Sequence, residues 1–311
     1  VRRFPPEDLR VWCEGLGEET FVGSSGRVFP RSLRANRLLD AWLARLEQIG
    51  VRTLCSTRWT GWGDDDAHLL LETPSGPTAI RADAAVLTLG GASWPGTGSN
   101  GDWVQTLESS GVDVAPLRAS NCGLDITWSQ VFAERFAGAP VKNIGVACGD
   151  NSLRGELMVT EHGLEGGAAY GLSRVVRAQL DAAGEATLHL DLRPDLEHLT
   201  LVDRLGRRRA KESRSKSLAR LVGLAPVAIG LMREATGNDL PAGSEPLAAL
   251  IKDTALVVSG TAPLERAIST AGGIRLAEPD DRFMLNSRPG AFAAGEMLDW
   301  EAPTGGYLLQ A

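Results

Sequence analysis

The densest concentration of residues able to hold a ligand is the run Gly90-Gly91-Ala92-Ser93-Trp94-Pro95-Gly96-Thr97-Gly98-Ser99-Asn100-Gly101. A glycine loop ahead of a helix can turn backbone N–H groups toward an anion or the edge of a flat cofactor. No Gly-Lys-Ser/Thr occurs, so this is not a Walker loop. Asp102, expected in the first turn of the next helix, would repel a phosphate, which leaves a ring or a sugar as the better guest. Gly90, Gly91, Ser93, Thr97 and Gly98 are the candidate contacts; a plain connecting loop fits the same residues equally well.

Two further groups could share that task. Gly295-Glu296 closes the apolar run Gly290-Ala291-Phe292-Ala293-Ala294. A carboxylate at the C-terminal edge of a strand can accept two hydrogen bonds from a sugar-like diol, and a glycine lets the ligand approach the backbone. Thr304-Gly305-Gly306-Tyr307-Leu308 follows and reads as a capped helix start with amides available to a negative charge. The block Gly26-Arg27-Val28-Phe29-Pro30 reads as a loop, with Arg27 either pairing an anion or solvated at the surface.

Acid–base and metal chemistry leave fainter traces. His68, His162, His189 and His198 lack metal-ligand spacing. His162 stands in the glycine-broken stretch Thr160-Glu161-His162-Gly163-Leu164-Glu165-Gly166-Gly167, and Tyr170 follows closely. These two are the catalytic candidates, with a structural role the commoner fate for each. Cys13, Cys55, Cys122 and Cys148 form no close pair, which suits a reducing cytosol and buried small side chains.

The elements that must position these residues follow from spacing. Leu38, Leu39, Trp42, Leu43, Leu46 and Ile49 recur at helical intervals, and Gly50 ends the pattern. Val51–Leu54 reads as a short strand, and His68–Thr73 and Thr78–Arg81 as strands around Pro74-Ser75-Gly76-Pro77. Ala84–Leu89 is a bounded apolar run suited to a parallel strand buried on both faces. Residues 112–192 are β-rich with a helix near Leu172–Ala182; residues 197–252 are helical; Ala255–Val258 returns to strand. Parallel-sheet material at both ends therefore encloses an insertion. The expected division is an α/β domain (1–115 and 275–311), a β-rich inserted domain (116–196 and 254–274) and a small helical domain (197–253).

With 311 residues the chain exceeds one ordinary core, and 43% hydrophobic with 23% charged residues is a globular composition. No eighteen-residue apolar stretch exists, so no membrane partner is expected, and a net charge of -7 argues against nucleic acid. Arg207-Arg208-Arg209 with Lys211, Arg214 and Lys216 runs against that balance and reads as a solvated face. Val1 is not Met, and Tyr307–Ala311 reads as a helix just begun, so both ends are expected to be cut. A small-molecule substrate and a cytoplasmic location are the expected partner and compartment.

Taken in order, these pieces resemble the bacterial NAD(P)/FAD-dependent oxidoreductases that include aminoacetone oxidase and BaiN-like proteins. The resemblance rests on Gly26–Pro30, Thr88–Pro95 with Thr97-Gly98-Ser99, Thr270-Ala271-Gly272-Gly273-Ile274, Ala294–Asp299 and Thr304–Tyr307. It implies a Rossmann-like FAD domain with an inserted β-barrel-like domain and a small helical domain, and FAD facing the glycine blocks and Glu296. Hydride transfer between a small organic substrate and the flavin is the implied activity, with oxygen or NAD(P) as electron partner. A non-catalytic flavin-binding scaffold is the alternative. Two departures stand out. The strand and Gly-x-Gly-x-x-Gly turn that open the family's fold do not stand ahead of Gly26–Pro30 here; that spacing comes only later, at Gly96, Gly98 and Gly101, where Asp102 follows. The family's Thr-His-x-Gly-Leu-Ser-Gly-Pro is here Thr160–Gly167, with the histidine displaced by one position.

Overall fold

The computed structural model describes residues 3–23, 26–63 and 68–310. Val1 and Ala311, on which the expectation of cut ends rests, lie outside them. The chain divides into two compact units, Val1–Gly90 with Gly101–Pro116 and Gly272–Ala311, and Gly91–Asn100 with Leu117–Ala271.

In the first unit Ala85–Leu87 and Ala291–Ala293 pair in parallel, Ala85 opposite Ala291 and Leu87 opposite Ala293. The two apolar runs from opposite ends of the sequence thus form one sheet. Leu87, Ala291 and Ala293 are buried, but Val86 is 65% exposed. The expected burial on both faces does not hold: among the described residues the sheet has two strands, and Val86 faces solvent. Arg58–Trp62, His68–Thr73 and Gly76–Arg81 form an antiparallel sheet, of which sequence reading anticipated the last two strands. Thr20–Val22 and Val28–Pro30 make a hairpin. The helix Ala35–Gln48 forms as its periodicity predicts, yet buries no residue fully; Trp42 meets Trp12 edge-on at 5.4 Å. Residues 51–54 are not a strand: Val51 and Leu54 are 45% and 50% exposed and pair with no strand among the described residues.

The second unit is built on a seven-stranded antiparallel sheet, in spatial order Thr254–Val258, Ala186–Asp191, Pro140–Cys148, Asn151–Thr160, Gly163–Glu165, Leu124–Asp125, Gly260–Thr261. Its two edge strands are separated by one residue, Ser259. That step spans at most ~7 Å, whereas seven flat strands would put the edges about 28 Å apart. The sheet therefore curls until its edges approach. Alternation buries Ala186, Leu188 and Leu190 on one strand and Thr254, Leu256 and Val258 on its neighbour. The helix Gly167–Ala183 lays Ala168, Ala169, Leu172 and Val176 against this core, and Gly155 admits it closely, its missing Cβ only 3.4 Å from that of Ala168.

Residues 197–253 are helical as expected: His198–Gly206, Arg214–Val222, Pro226–Ala235 and Ser244–Lys252. They do not stand as a separate domain. Leu201, Leu218, Leu231 and Ile251 belong to the same hydrophobic core as Leu124, Ile144 and Leu188, because the helices carry their apolar stripes on the side facing the sheet.

Candidate functional site

The first unit gathers its candidates at one edge of the parallel pair. Both strands run toward left-handed glycines, Gly90 (φ +73°) and Gly295 (φ +75°). Ala294 N–H donates to the Leu87 carbonyl at 3.1 Å, extending the pairing to the edge itself. Trp103 Nε1 donates to the Gly90 carbonyl at 3.0 Å, and Trp300 Nε1 to that of Gly295 at 3.0 Å. Each turn is thereby fixed by an indole. Glu296, half-buried, follows Gly295 in a short 3-10 turn.

The Thr304-Gly305-Gly306 turn precedes a short helix, Tyr307–Gln310. Gly305 and Gly306 hold φ +126° and +90°, conformations that exclude most side chains. A Cβ on Gly305 would lie 3.6 Å from Arg27 Nε, so Arg27 sits against this turn. Val28 and Phe29 are exposed on the same hairpin strand, Pro30 is half-buried, and Leu308 lies in the helix. Gly272 and Gly273, part of the family-like Thr270–Ile274 block, are explained by packing. Cβ atoms there would fall 2.1 Å from the Pro116 carbonyl oxygen and 2.4 Å from that of Met297.

The loop Gly91–Asn100 belongs to the second unit, and part of its amide capacity is already used there. Ala92 and Ser93 N–H both donate to Thr270 Oγ1, at 2.8 and 3.2 Å, and Ser99 Oγ donates to the Gly91 carbonyl. Thr97 Oγ1 donates to the Trp94 carbonyl at 2.8 Å and Gly98 N–H to that of Pro95 at 3.0 Å. The loop is a self-braced turn around Pro95–Thr97.

The second unit also contains a cavity of about 820 Å³, lined by Asp125, Trp128, His162, Glu165 and Arg266 among others. His162 is exposed on the turn between Asn151–Thr160 and Gly163–Glu165. Tyr170 is not with it; its ring packs on the hydrophobic core from the helix Gly167–Ala183. Asp125 was not singled out by sequence reading. A signal existed: it is an acid between the buried Leu124 and Ile126. Burial pushes its carboxyl above the ordinary 3.8, with the nearby His162 pulling the other way. Glu165 Oε1 lies 4.0 Å from Arg266 Nη2. Among the described residues no group of three or more His, Cys, Asp or Glu could hold a metal ion, and no helix is long and apolar enough to cross a membrane.

A parallel strand pair whose carboxyl ends meet in glycine turns is the mark of a Rossmann-type α/β protein. The chain belongs to the HI0933-like protein Rossmann domain family, whose profile matches residues 1–311. It is 26% identical over 301 residues to the 3-dehydro-bile acid delta(4,6)-reductase of Clostridium scindens, covering 92% of this chain and 72% of that protein. It is 25% identical over 244 residues to the ribosomal RNA dihydrouridine synthase of Escherichia coli, covering 74% of this chain and 58% of that one. Among solved structures, the 3-ketosteroid delta1-dehydrogenase of Sterolibacterium denitrificans aligns over 85% of this chain and 57% of its own, with 14% identity and a TM-score of 0.38.

Proposed function

We propose that the protein is an FAD-dependent oxidoreductase acting on a small organic molecule, with oxygen or a nicotinamide as the other redox partner. The observation that carries this reading is the shared edge of the parallel pair, where Gly90 and Gly295 turn the backbone and Glu296 follows at once. Open α/β sheets take nucleotides outside the carboxyl ends of their strands. A Cβ on Gly295 or Gly306 would meet nothing within 4 Å, so the backbone is open to a flat ligand at both turns. Bound there, the flavin would supply hydride transfer at N5. The residues present suit its flavin half: Glu296 can accept hydrogen bonds from a polyol, and Arg27 beside the 304–306 turn can balance negative charge. The one Gly-x-Gly-x-x-Gly spacing, Gly96-Thr97-Gly98-Ser99-Asn100-Gly101, is followed by Asp102, an acid that would sit against the pyrophosphate of an ADP half.

The test is the visible spectrum of the purified protein with FAD, followed by anaerobic substrate addition. Flavin bands that bleach on substrate support an enzyme; bands that no reductant substrate bleaches support a flavin-binding scaffold. Glu296→Ala is expected to weaken FAD binding roughly 10- to 100-fold, the worth of a charge-assisted hydrogen bond. An unchanged dissociation constant removes Glu296 from the site.

A second reading, an RNA substrate, is raised by the name of the Escherichia coli relative and by the run Arg207-Arg208-Arg209 with Lys211 and Lys216. Part of that charge is compensated. Arg207 pairs with Asp203 at 2.5 Å, and Arg208 donates to the Glu212 carbonyl. Arg220 holds the Glu212 carboxyl down to about 2. Binding to ribosomal RNA fragments that weakens steeply with salt would favour this reading; salt-independent or absent binding favours the small molecule.

A further inference from the structure

Asp125 occupies an unusual place in the curled sheet of the second unit. Its strand, Leu124–Asp125, lies between Gly163–Glu165 and Gly260–Thr261, and the register sets Gly163 opposite Asp125 on one side and Gly260 on the other. Directly opposed positions put side chains on one face about 5 Å apart. With glycine at both, neither neighbouring strand sets a side chain directly opposite Asp125. Gly260 is needed for this, since a Cβ there would lie 3.2 Å from Asp125 Oδ2. Gly163 is needed more strictly: at φ +154° its Cβ would fall 1.9 Å from the Leu124 carbonyl oxygen.

The backbone around the carboxylate is well paired. Asp125 O accepts from Ser259 N–H at 2.9 Å, and Ile126 N–H donates to the His162 carbonyl at 2.9 Å. The carboxylate itself takes no hydrogen bond and no ion pair from any described residue, and it opens into the 820 Å³ cavity. The charged and titratable groups on that cavity are Glu161, His162, Glu165 and Arg266, with the buried Cys122 thiol near Asp125. Arg266 faces Glu165, and no described residue makes an ion pair with Asp125, on which His162 acts only through its field. A half-buried carboxylate without a donor is costly, and a ligand that brings one recovers that cost. The walls offer Leu124, Ile126 and Trp128 to an apolar body, and Trp128 is held in place by its Nε1 donating to the Thr160 carbonyl at 3.1 Å.

We propose that this cavity is a binding site for a small organic molecule that presents an N–H or O–H donor to Asp125 and an apolar ring to the Trp128 wall, with protonated amines favoured and carboxylates excluded. The inference deepens the oxidoreductase reading by naming where the second unit holds an organic substrate and which group of it is recognised. It is tested by binding without turnover or flavin, so its failure and that of the redox reading are separate events.

The experiment uses residues 1–311 at pH 8 and three probes sharing one ring: benzylamine, benzyl alcohol and benzoate. Backbone amide shifts are followed by NMR, with Ile126, Gly163 and Gly260 as reporters. The expected affinity order is benzylamine, then benzyl alcohol, with benzoate moving none of the three reporters. Asp125→Asn is expected to weaken benzylamine roughly 10- to 100-fold, since hydrogen bonds to a charged group are lost, and to leave benzyl alcohol within a few-fold. Benzoate binding as tightly as benzylamine, or benzylamine shifting only amides outside the cavity, overturns the proposal. So does an Asp125→Asn protein that binds benzylamine unchanged. The wild-type charge series decides the matter even if that variant does not fold.

Discussion

At the scale of single residues, Asp125 and Glu296 are both carboxylates near glycine, yet their surroundings differ. Glu296 follows a glycine turn at a sheet edge, while Asp125 is held between two glycines inside a curled sheet. Burial raises the Asp125 carboxyl above its ordinary 3.8. A group whose folded value is raised contributes stability that is fully present below the unfolded value and is lost as pH rises through the folded one. The charged form is therefore the destabilising one at neutral pH. Asp125→Asn should raise the melting temperature at pH 7 by roughly 2 °C, taking about 1 kcal/mol for an unpaired half-buried group. The difference should shrink toward zero as pH falls to the ordinary carboxylate range. Thermal melts of both proteins from pH 4 to 8 check this; a variant less stable at every pH would mean that the carboxylate has a donor in the folded protein.

At the scale of elements, glycine separates backbone necessity from tolerance. Gly163→Ala would drive a Cβ into the Leu124 carbonyl at a φ that side chains rarely adopt, and the strands beside Asp125 would have to part. A loss of more than about 3 kcal/mol is expected in urea titration, by analogy with strained and overpacked sites. Gly206 ends the helix His198–Gly206 at a negative φ, and a Cβ there would meet nothing within 4 Å. Gly206→Ala should stabilise by about 0.5 kcal/mol through the unfolded chain's lost freedom. A destabilised Gly206→Ala would place an unseen neighbour at that helix end. The expectation that Val51–Leu54 is a strand failed at this scale for a plain reason. Strand propensity is realised only where a partner edge exists, and these residues pair with none among those described.

At the scale of the whole molecule, the two units differ in how much they bury. The second has a continuous core running from its curled sheet into all four of the helices between 198 and 252. In the first, the helix Ala35–Gln48 buries no residue fully, and Leu39, Trp42, Leu43 and Val86 are between 41% and 65% exposed. Local stability follows buried apolar contact. Hydrogen exchange should therefore be slow through Pro140–Thr160 and Ala186–Asp191 and fast through Ala35–Gln48, and calorimetry should resolve an early transition for the first unit. FAD is expected to raise that early transition and leave the later one in place, because a ligand stabilises what it binds. A single cooperative transition, or a shift confined to the later one, would count against assigning the flavin to the Gly90, Gly295 and Glu296 edge.

Local chemistry accounts for what could be read from the sequence by itself. The helix at Ala35–Gln48, the strands His68–Thr73 and Gly76–Arg81, the parallel pairing of Ala85–Leu87 with Ala291–Ala293 and the helical run from 198 to 252 are all carried by apolar period and glycine punctuation. So is the Rossmann-type family, through an ordered set of glycine blocks. The tertiary structure decided what depends on neighbours distant in the chain. It merged the helical segment into the core of the sheet, because a helix stripe does not say what it will cover. It gave Gly272 and Gly273 a packing role against Pro116 and Met297. It brought Asp125, His162, Glu165 and Arg266 around one cavity while leaving Tyr170 on the core. Strand order joins residues more than a hundred positions apart, and no periodicity within a strand encodes which glycines will stand opposite an acid.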